Sequence, residues 1–241
     1  RATTRSRMRR RTRRPHFIEH ALYLVILDVD GTLVDSQNLI VAAQRQAFAA
    51  CGLEPPTRQR SLSIVGLSLA EAFTALVGPA GPIEQLAEGY KAAFATLRAD
   101  PACVEPLFPE VEAVIGRLAR REDVLLGIAT GKSRRGVAHI LDRHDWHSVF
   151  ATVQTADDAP SKPDPGMILQ AMADTGIGPD ATFMVGDTSF DMAMARAAGV
   201  RPIGVSWGYH PVAALQEAGA ERIIDRFGAL EGLLSPTAEA A

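Results

Sequence analysis

Five short apolar runs, each followed by a helical pattern, constrain this chain more than any other feature. Leu22–Leu27, Val124–Ala129 ("VLLGIA"), Val149–Val153 ("VFATV"), Thr182–Val185 ("TFMV") and Pro202–Val205 ("PIGV") read as buried strands, dominated by apolar side chains and stopped by polar residues or turns. Helical patterns occupy Glu110–Arg121, Ser133–Arg143, Pro165–Thr175, Phe190–Ala198 and Val212–Ala218. Strands alternating with helices of this length predict an α/β fold built on a doubly wound parallel sheet.

The rhythm fails once. From Gln37 to about Val104 there is no buried strand, only the helical stretches "LIVAAQRQAFAACG", "LSLAEAFTALVG" and "IEQLAEGYKAAFATLRAD", separated by Gly and Pro. A second, all-α domain inserted between the first two strands accounts for this. The expected division is a helical domain at 37–104, an α/β core at 21–36 and 105–241, and an Arg-rich extension at 1–20.

Composition narrows the setting. A hydrophobic fraction of 47% against 22% charged residues is that of a globular chain that can bury a core. Ala21–Leu27, the longest apolar run, is far too short to span a bilayer, so no membrane partner is expected. Cys51 and Cys103 cannot form a disulfide framework, which predicts a reducing, cytoplasmic location. The first fourteen residues, "RATTRSRMRRRTRR", hold eight arginines and no acid; against a whole-chain charge of −3, this leaves −11 on the rest. An acidic body disfavours nucleic acid as a partner. The Arg-rich start is expected to be a disordered, dispensable extension, with Met8 as a candidate start.

Polar residues cluster where the strands end. The first strand runs into "DVDGTLVDS", which places Asp28, Asp30 and Asp35 within eight positions; the second ends in Thr130-Gly131-Lys132. "TADDAPSKPDP" supplies Lys162 after the third, and "VGDTSFD" gives Asp187 and Asp191 after the fourth. Ligands in open α/β sheets gather at the carboxyl ends of strands. Several carboxylates at one such edge suit a hard cation such as Mg²⁺, with a lysine at hand to balance charge.

These four motifs, in this order, resemble those of the haloacid dehalogenase superfamily. The similarity spans about residues 22–233 and is nearest to the phosphoglycolate phosphatase-like branch, whose helical cap follows the first strand. The resemblance implies a Rossmann-like core and an Mg²⁺-dependent phosphomonoesterase acting on a small phosphorylated metabolite, as a monomer or homodimer. It assigns Asp28 as the nucleophile that forms an aspartyl-phosphate, and Asp30 as the general acid and base. Thr130, Gly131 and Lys162 would bind the phosphoryl group. The Asp28 carboxylate, the Asp30 carbonyl and Asp187 would hold the metal, with Asp191 supporting from behind.

Alternatives differ at particular residues. Dehalogenases of the superfamily lack an acid at the position of Asp30. Sugar phosphomutases carry a cap arginine where "VGLSLAEAF" has Leu69 and Ala70, though Arg58 and Arg60 lie nearby. A pyrophosphatase activity, or a non-catalytic binding protein, are the remaining readings. Lys132 is expected equally as a site residue or a solvated one, Asp35 and Ser36 as hinge residues, and Trp207 and His210 as entrance or loop residues. The histidines of "RHDWH" (Arg143–His147) lack a metal-ligand spacing.

Overall fold

The computed structural model describes residues 22–234; the Arg-rich start and the last seven residues lie outside the described residues. Six parallel strands form one sheet: β1 (Tyr23–Leu27), β2 (Val124–Ala129), β3 (Phe150–Gln154), β4 (Thr182–Gly186), β5 (Arg201–Val205) and β6 (Arg222–Ile224). Their order is β3-β2-β1-β4-β5-β6. The chain therefore reverses its direction of travel across the sheet between β1 and β4, the place where such sheets open a crevice for ligands.

β1 shows why both faces are covered. Val25 and Leu27 enter a core with Val111, Val114, Ile115, Val137 and Ile140, while Leu24 and Ile26 enter a second core with Met167, Ile168, Met194 and Ala195. Alternate side chains point to opposite faces of a strand, so an apolar strand of this kind needs helices on both sides. They are supplied by α5 (Val111–Leu118) and α6 (Arg134–His144) on one face and by α7 (Gly166–Thr175) and α8 (Ser189–Ala198) on the other. α9 (Val212–Glu217) and α10 (Leu230–Leu233) complete the core. β6 was not expected from sequence: its three residues, "RII", are too few to show a pattern.

The residues between β1 and α5 form α1 (Gln37–Ala50), α2 (Arg58–Leu62), α3 (Leu69–Val77) and α4 (Ile83–Ala99), with no strand among them. α1 buries Leu39, Ile40, Ala43, Ala47 and Phe48, a stripe at helical spacing, and Ala93 and Phe94 of α4 pack against its first half. Ser68 caps α3 by accepting the Glu71 N–H. Cys51 and Cys103 are free thiols packed at the edges of these helical cores. No described helix is long and apolar enough to cross a membrane.

Two connecting segments tie this helical insertion to the sheet. Asp35 N–H donates to the Pro106 carbonyl at 2.8 Å, and Phe108 N–H to the Leu33 carbonyl at 3.0 Å. The loop before α3 then folds back over the strand ends. Its Ser68 N–H donates to Ser161 Oγ at 2.8 Å, and a Cβ on Gly131 would stand 2.4 Å from the Gly66 carbonyl oxygen.

Candidate active site

Asp28 and Asp187 meet because β1 and β4 are neighbours in register. Leu27 pairs with Val185, and the Asp28 N–H extends the ladder to the Val185 carbonyl at 2.9 Å. Each carboxylate stands just beyond its strand, at the reversal point of the sheet. Gly31 makes the approach possible: its φ is +83°, and a Cβ there would lie 2.2 Å from Asp187 Oδ2.

The charge balance is unusual for a buried place. Asp28, Lys162, Asp187 and Asp191 are all 1% exposed or less. Lys162 Nζ donates to Asp191 Oδ1 at 2.6 Å and lies 3.0 Å from Asp28 Oδ1, off the line for a hydrogen bond. Both Asp28 oxygens are therefore buried without a hydrogen-bond partner. Asp28, Asp187 and Asp191 can bring one oxygen each within 4.8 Å of one another. One ammonium among three carboxylates leaves two negative charges uncompensated, a poor arrangement unless a divalent cation completes it.

Titration follows from that imbalance. Burial pushes the Asp28 carboxyl up to about 7, with Lys162 opposing and Asp191 adding to the rise. Burial, together with Asp28 and Asp191, holds Asp187 well above the usual carboxylate range. Burial pulls Lys162 down, but Asp191 and Asp28 outweigh it and raise its pKa overall, so it stays charged.

Asp191 is already occupied. Its Oδ1 accepts from Lys162, and its Oδ2 accepts from Thr188 N–H at 3.0 Å and Thr188 Oγ at 2.7 Å, closing a capping box at the start of α8. Asp28 and Asp187 thus offer the freer oxygens for a cation. Asp187 takes only Thr32 Oγ on Oδ1 at 3.1 Å and Tyr209 N–H on Oδ2 at 2.8 Å.

Asp30 is held by one oxygen. Its Oδ1 accepts the Ser36 hydroxyl at 2.5 Å and lies 2.9 Å from Lys132 Nζ. Tyr209 supports the arrangement, its hydroxyl oxygen accepting the Ser36 N–H at 3.0 Å. One tyrosine therefore touches both Asp187, through its backbone, and the partner of Asp30, through its side chain. Thr130 is buried beside them, its Oγ accepting the Lys132 N–H at 3.2 Å. Thr130, Gly131, Asp28 and Asp30 all line one cavity between the strand ends and the helical insertion.

The sequence-predicted residues Asp28, Asp30, Thr130, Gly131, Lys162, Asp187 and Asp191 are thus brought to one edge. Lys132 belongs with them, and Ser36 does more than shape a hinge. Tyr209 carried no sequence signal for the role it plays here. Only Ser36 could have been found, as a hydroxyl six residues after a carboxylate in a tight turn. Arg58 and Arg60 turn away: Arg58 bonds Gln37 and Asn38, Arg60 the Ala75 carbonyl, and neither lines the cavity. Trp207 donates to the Thr32 carbonyl, and His210 accepts the Ser189 N–H through Nδ1. Both order the loop after β5 and stay outside the cavity. His147 pairs with Asp142 at the surface, and among the described residues the only cluster suited to a metal is that of Asp28, Asp187 and Asp191.

Residues 25–205 match the family model for the haloacid dehalogenase-like hydrolases. The chain is 33% identical over 212 residues to a Dickeya dadantii protein named probable phosphatase IndB, covering 87% of this chain and 92% of that one. It is 30% identical over 216 residues to phosphoglycolate phosphatase 1 of Pseudomonas aeruginosa, covering 88% and 79%. Among solved structures, a hydrolase from Pseudomonas syringae superposes with a TM-score of 0.76 at 26% identity, covering 88% of this chain and all of that one (100%). A haloacid dehalogenase-like family protein from Streptococcus pneumoniae shares the fold at 22% identity, with a TM-score of 0.76 over 89% of this chain and 99% of that one. The carboxylates at the reversal of a 3-2-1-4-5-6 sheet and the match over most of the chain agree: this protein belongs to the haloacid dehalogenase-like hydrolases.

Proposed function

We propose that the protein is a phosphatase that hydrolyses a phosphomonoester of a small metabolite through an aspartyl-phosphate on Asp28, with Mg²⁺ as cofactor. The carrying observation is the Asp28 carboxylate, buried at a strand end with both oxygens free of hydrogen bonds. Its one neighbouring cation, Lys162, is shared with Asp191, so the buried carboxylate stays under-compensated until a further cation or an electrophile takes its oxygens. The names of the Dickeya and Pseudomonas relatives favour the same reaction class.

Asp28, Asp187 and the Asp30 carbonyl would hold the cation, which when bound screens the nucleophile from the anionic ester. Asp28 attacks phosphorus, forming the aspartyl-phosphate as the P–O bond to the alcohol breaks. Asp30 gives its proton to the leaving alkoxide. It then takes a proton from the water that attacks the aspartyl-phosphate, releasing phosphate and regenerating Asp28. The hydrogen bond and ion pair on Asp30 both fall on Oδ1, which leaves Oδ2 to exchange the proton. Lys162 balances charge on Asp28 and the phosphoryl group, and Thr130 and the N–H groups after it bind phosphoryl oxygens. The helical insertion acts as a cap that shields the reaction from water.

Hydrolysis is favoured over mutase chemistry because the cap loop presents Leu67, Ser68 and Leu69 to the cavity and no arginine. Turnover of p-nitrophenyl phosphate with and without Mg²⁺, by the native chain and by Asp28→Asn, tests the reading. Mg²⁺-dependent release by the native chain alone supports it; equal release by both proteins overturns it.

A further inference from the structure

The segment after β5, Trp207-Gly208-Tyr209, is pressed against the carboxylate edge without lining the cavity. A Cβ on Gly208 would stand 2.0 Å from the Asp187 Cβ, so the backbone lies directly on that side chain. Trp207 Nε1 donates to the Thr32 carbonyl at 3.2 Å, and Thr32 Oγ donates in turn to Asp187 Oδ1 at 3.1 Å. The segment thus clamps Asp187 to the turn that follows β1.

Tyr209 extends this clamp to the helical insertion. Its N–H holds Asp187 Oδ2 at 2.8 Å, while its ring packs against the core that Leu39, Ile40 and Phe94 form in α1 and α4. Its hydroxyl meets the fully buried Ser36 at two points, the N–H at 3.0 Å and Oγ at 3.2 Å. Counting protons fixes the direction of these bonds. The single Ser36 hydroxyl proton goes to Asp30 Oδ1 at 2.5 Å, so Ser36 Oγ can only accept from Tyr209. The tyrosine hydroxyl therefore accepts from the Ser36 N–H and donates to Ser36 Oγ. A chain of two O–H donors ends on Asp30 Oδ1, and each bond in such a chain polarises the next. Lys132 Nζ lies 2.9 Å from the same oxygen.

We propose that Tyr209 is a positioning residue for proton transfer by Asp30. Through Ser36 it holds Oδ1 as the accepting oxygen and so keeps Oδ2 as the one that exchanges the proton. It touches no reacting atom. This rests on the phosphatase reading above, in which Asp30 acts first as acid and then as base. Without the tyrosine hydroxyl, Ser36 loses the donor that orients it. The Asp30 carboxyl is then less firmly held against rotation, which exchanges its two oxygens.

Tyr209→Phe keeps the ring in its packing and removes only the hydroxyl. Rapid-quench kinetics on p-nitrophenyl phosphate with Mg²⁺ read formation and hydrolysis of the aspartyl-phosphate as separate rates. Phenolate needs no acid to leave, whereas the attacking water needs Asp30 as its base. Tyr209→Phe should therefore slow hydrolysis roughly 3- to 10-fold, the value of one hydrogen bond, and leave formation within about twofold of native. Added to Ser36→Ala, the same substitution should cost no more than about twofold further, because the path it acts through is already cut. Slowing of formation that equals or exceeds that of hydrolysis, no slowing of either, or losses that multiply in the double variant overturn the proposal and leave the phosphatase reading standing. Absence of Mg²⁺-dependent turnover by the native chain overturns both.

Discussion

Ser36 Oγ and Lys132 Nζ converge on the same oxygen of Asp30, at 2.5 and 2.9 Å. One partner comes from the segment leading into the helical insertion and the other from the loop after β2, so the position of Asp30 depends on the two parts of the molecule being docked. Ser36→Ala removes a hydrogen bond to a charged group, a contribution of about 1.5–3 kcal/mol, and should lower kcat on an alkyl phosphate about 10- to 100-fold. The loss on p-nitrophenyl phosphate should be smaller, since its leaving group needs little proton assistance in the first step. Steady-state kinetics on the two esters read the difference.

Metal removal should expose the strain of the buried carboxylates as a pH dependence of stability. Asp28 is raised from 3.8 to about 7 on folding, so the folded chain holds that proton more tightly than the unfolded chain. The resulting stability is fully present below pH 3.8 and is lost as pH rises through about 7. In chelator, the native chain should melt at progressively lower temperature across that window relative to Asp28→Asn, which cannot titrate there. Mg²⁺ should raise the native Tm more at pH 8 than at pH 5. Thermal melts of both proteins, with and without Mg²⁺, decide it.

Asp191 joins Lys162 to the start of α8, and Asp191→Ala breaks both links. The substitution strands the Lys162 ammonium beside a single carboxylate and strips Thr188 of its capping partner. Lys162 keeps Asp28 as its partner, so the cost is that of one charge-assisted hydrogen bond, about 1.5–3 kcal/mol, together with the cap, about 0.5–2 kcal/mol. Denaturant unfolding should show a loss of that order.

Gly131 is where the cap loop meets the strand ends, and a Cβ there would lie 2.4 Å from the Gly66 carbonyl oxygen. The obstacle is backbone and cannot swing aside. Gly131→Ala should therefore keep the cap loop from seating, lowering kcat/KM at least about tenfold with little change in Tm. Activity and melting measured on the same preparation separate closure from folding.

Much of this was legible in the sequence because each strand end advertises itself. An apolar run that stops at Asp28 or Asp187 has one place to put a carboxylate, the sheet edge, and parallel topology brings such edges together. The absence of strands from Gln37 onward likewise marked the helical insertion. β6 escaped because three residues carry no period, and α2 because "RQRSL" has no apolar stripe. Tyr209 was invisible for another reason: its partner Ser36 lies 173 residues away, a distance at which no local pattern operates.

In the proposed mechanism Asp28 carries the phosphoryl group and Asp30 moves the protons. Asp30→Asn, mixed rapidly with p-nitrophenyl phosphate and Mg²⁺, tests it most directly. Phenolate leaves without help, whereas the attacking water still needs a base, so the second step should become limiting. A burst of phenolate close to one equivalent per protein is expected, with slow turnover thereafter and a phosphoryl group on Asp28 in acid-quenched protein by peptide mass spectrometry. Linear release from the first turnover, with no phosphoryl group on Asp28 at any time, would contradict it.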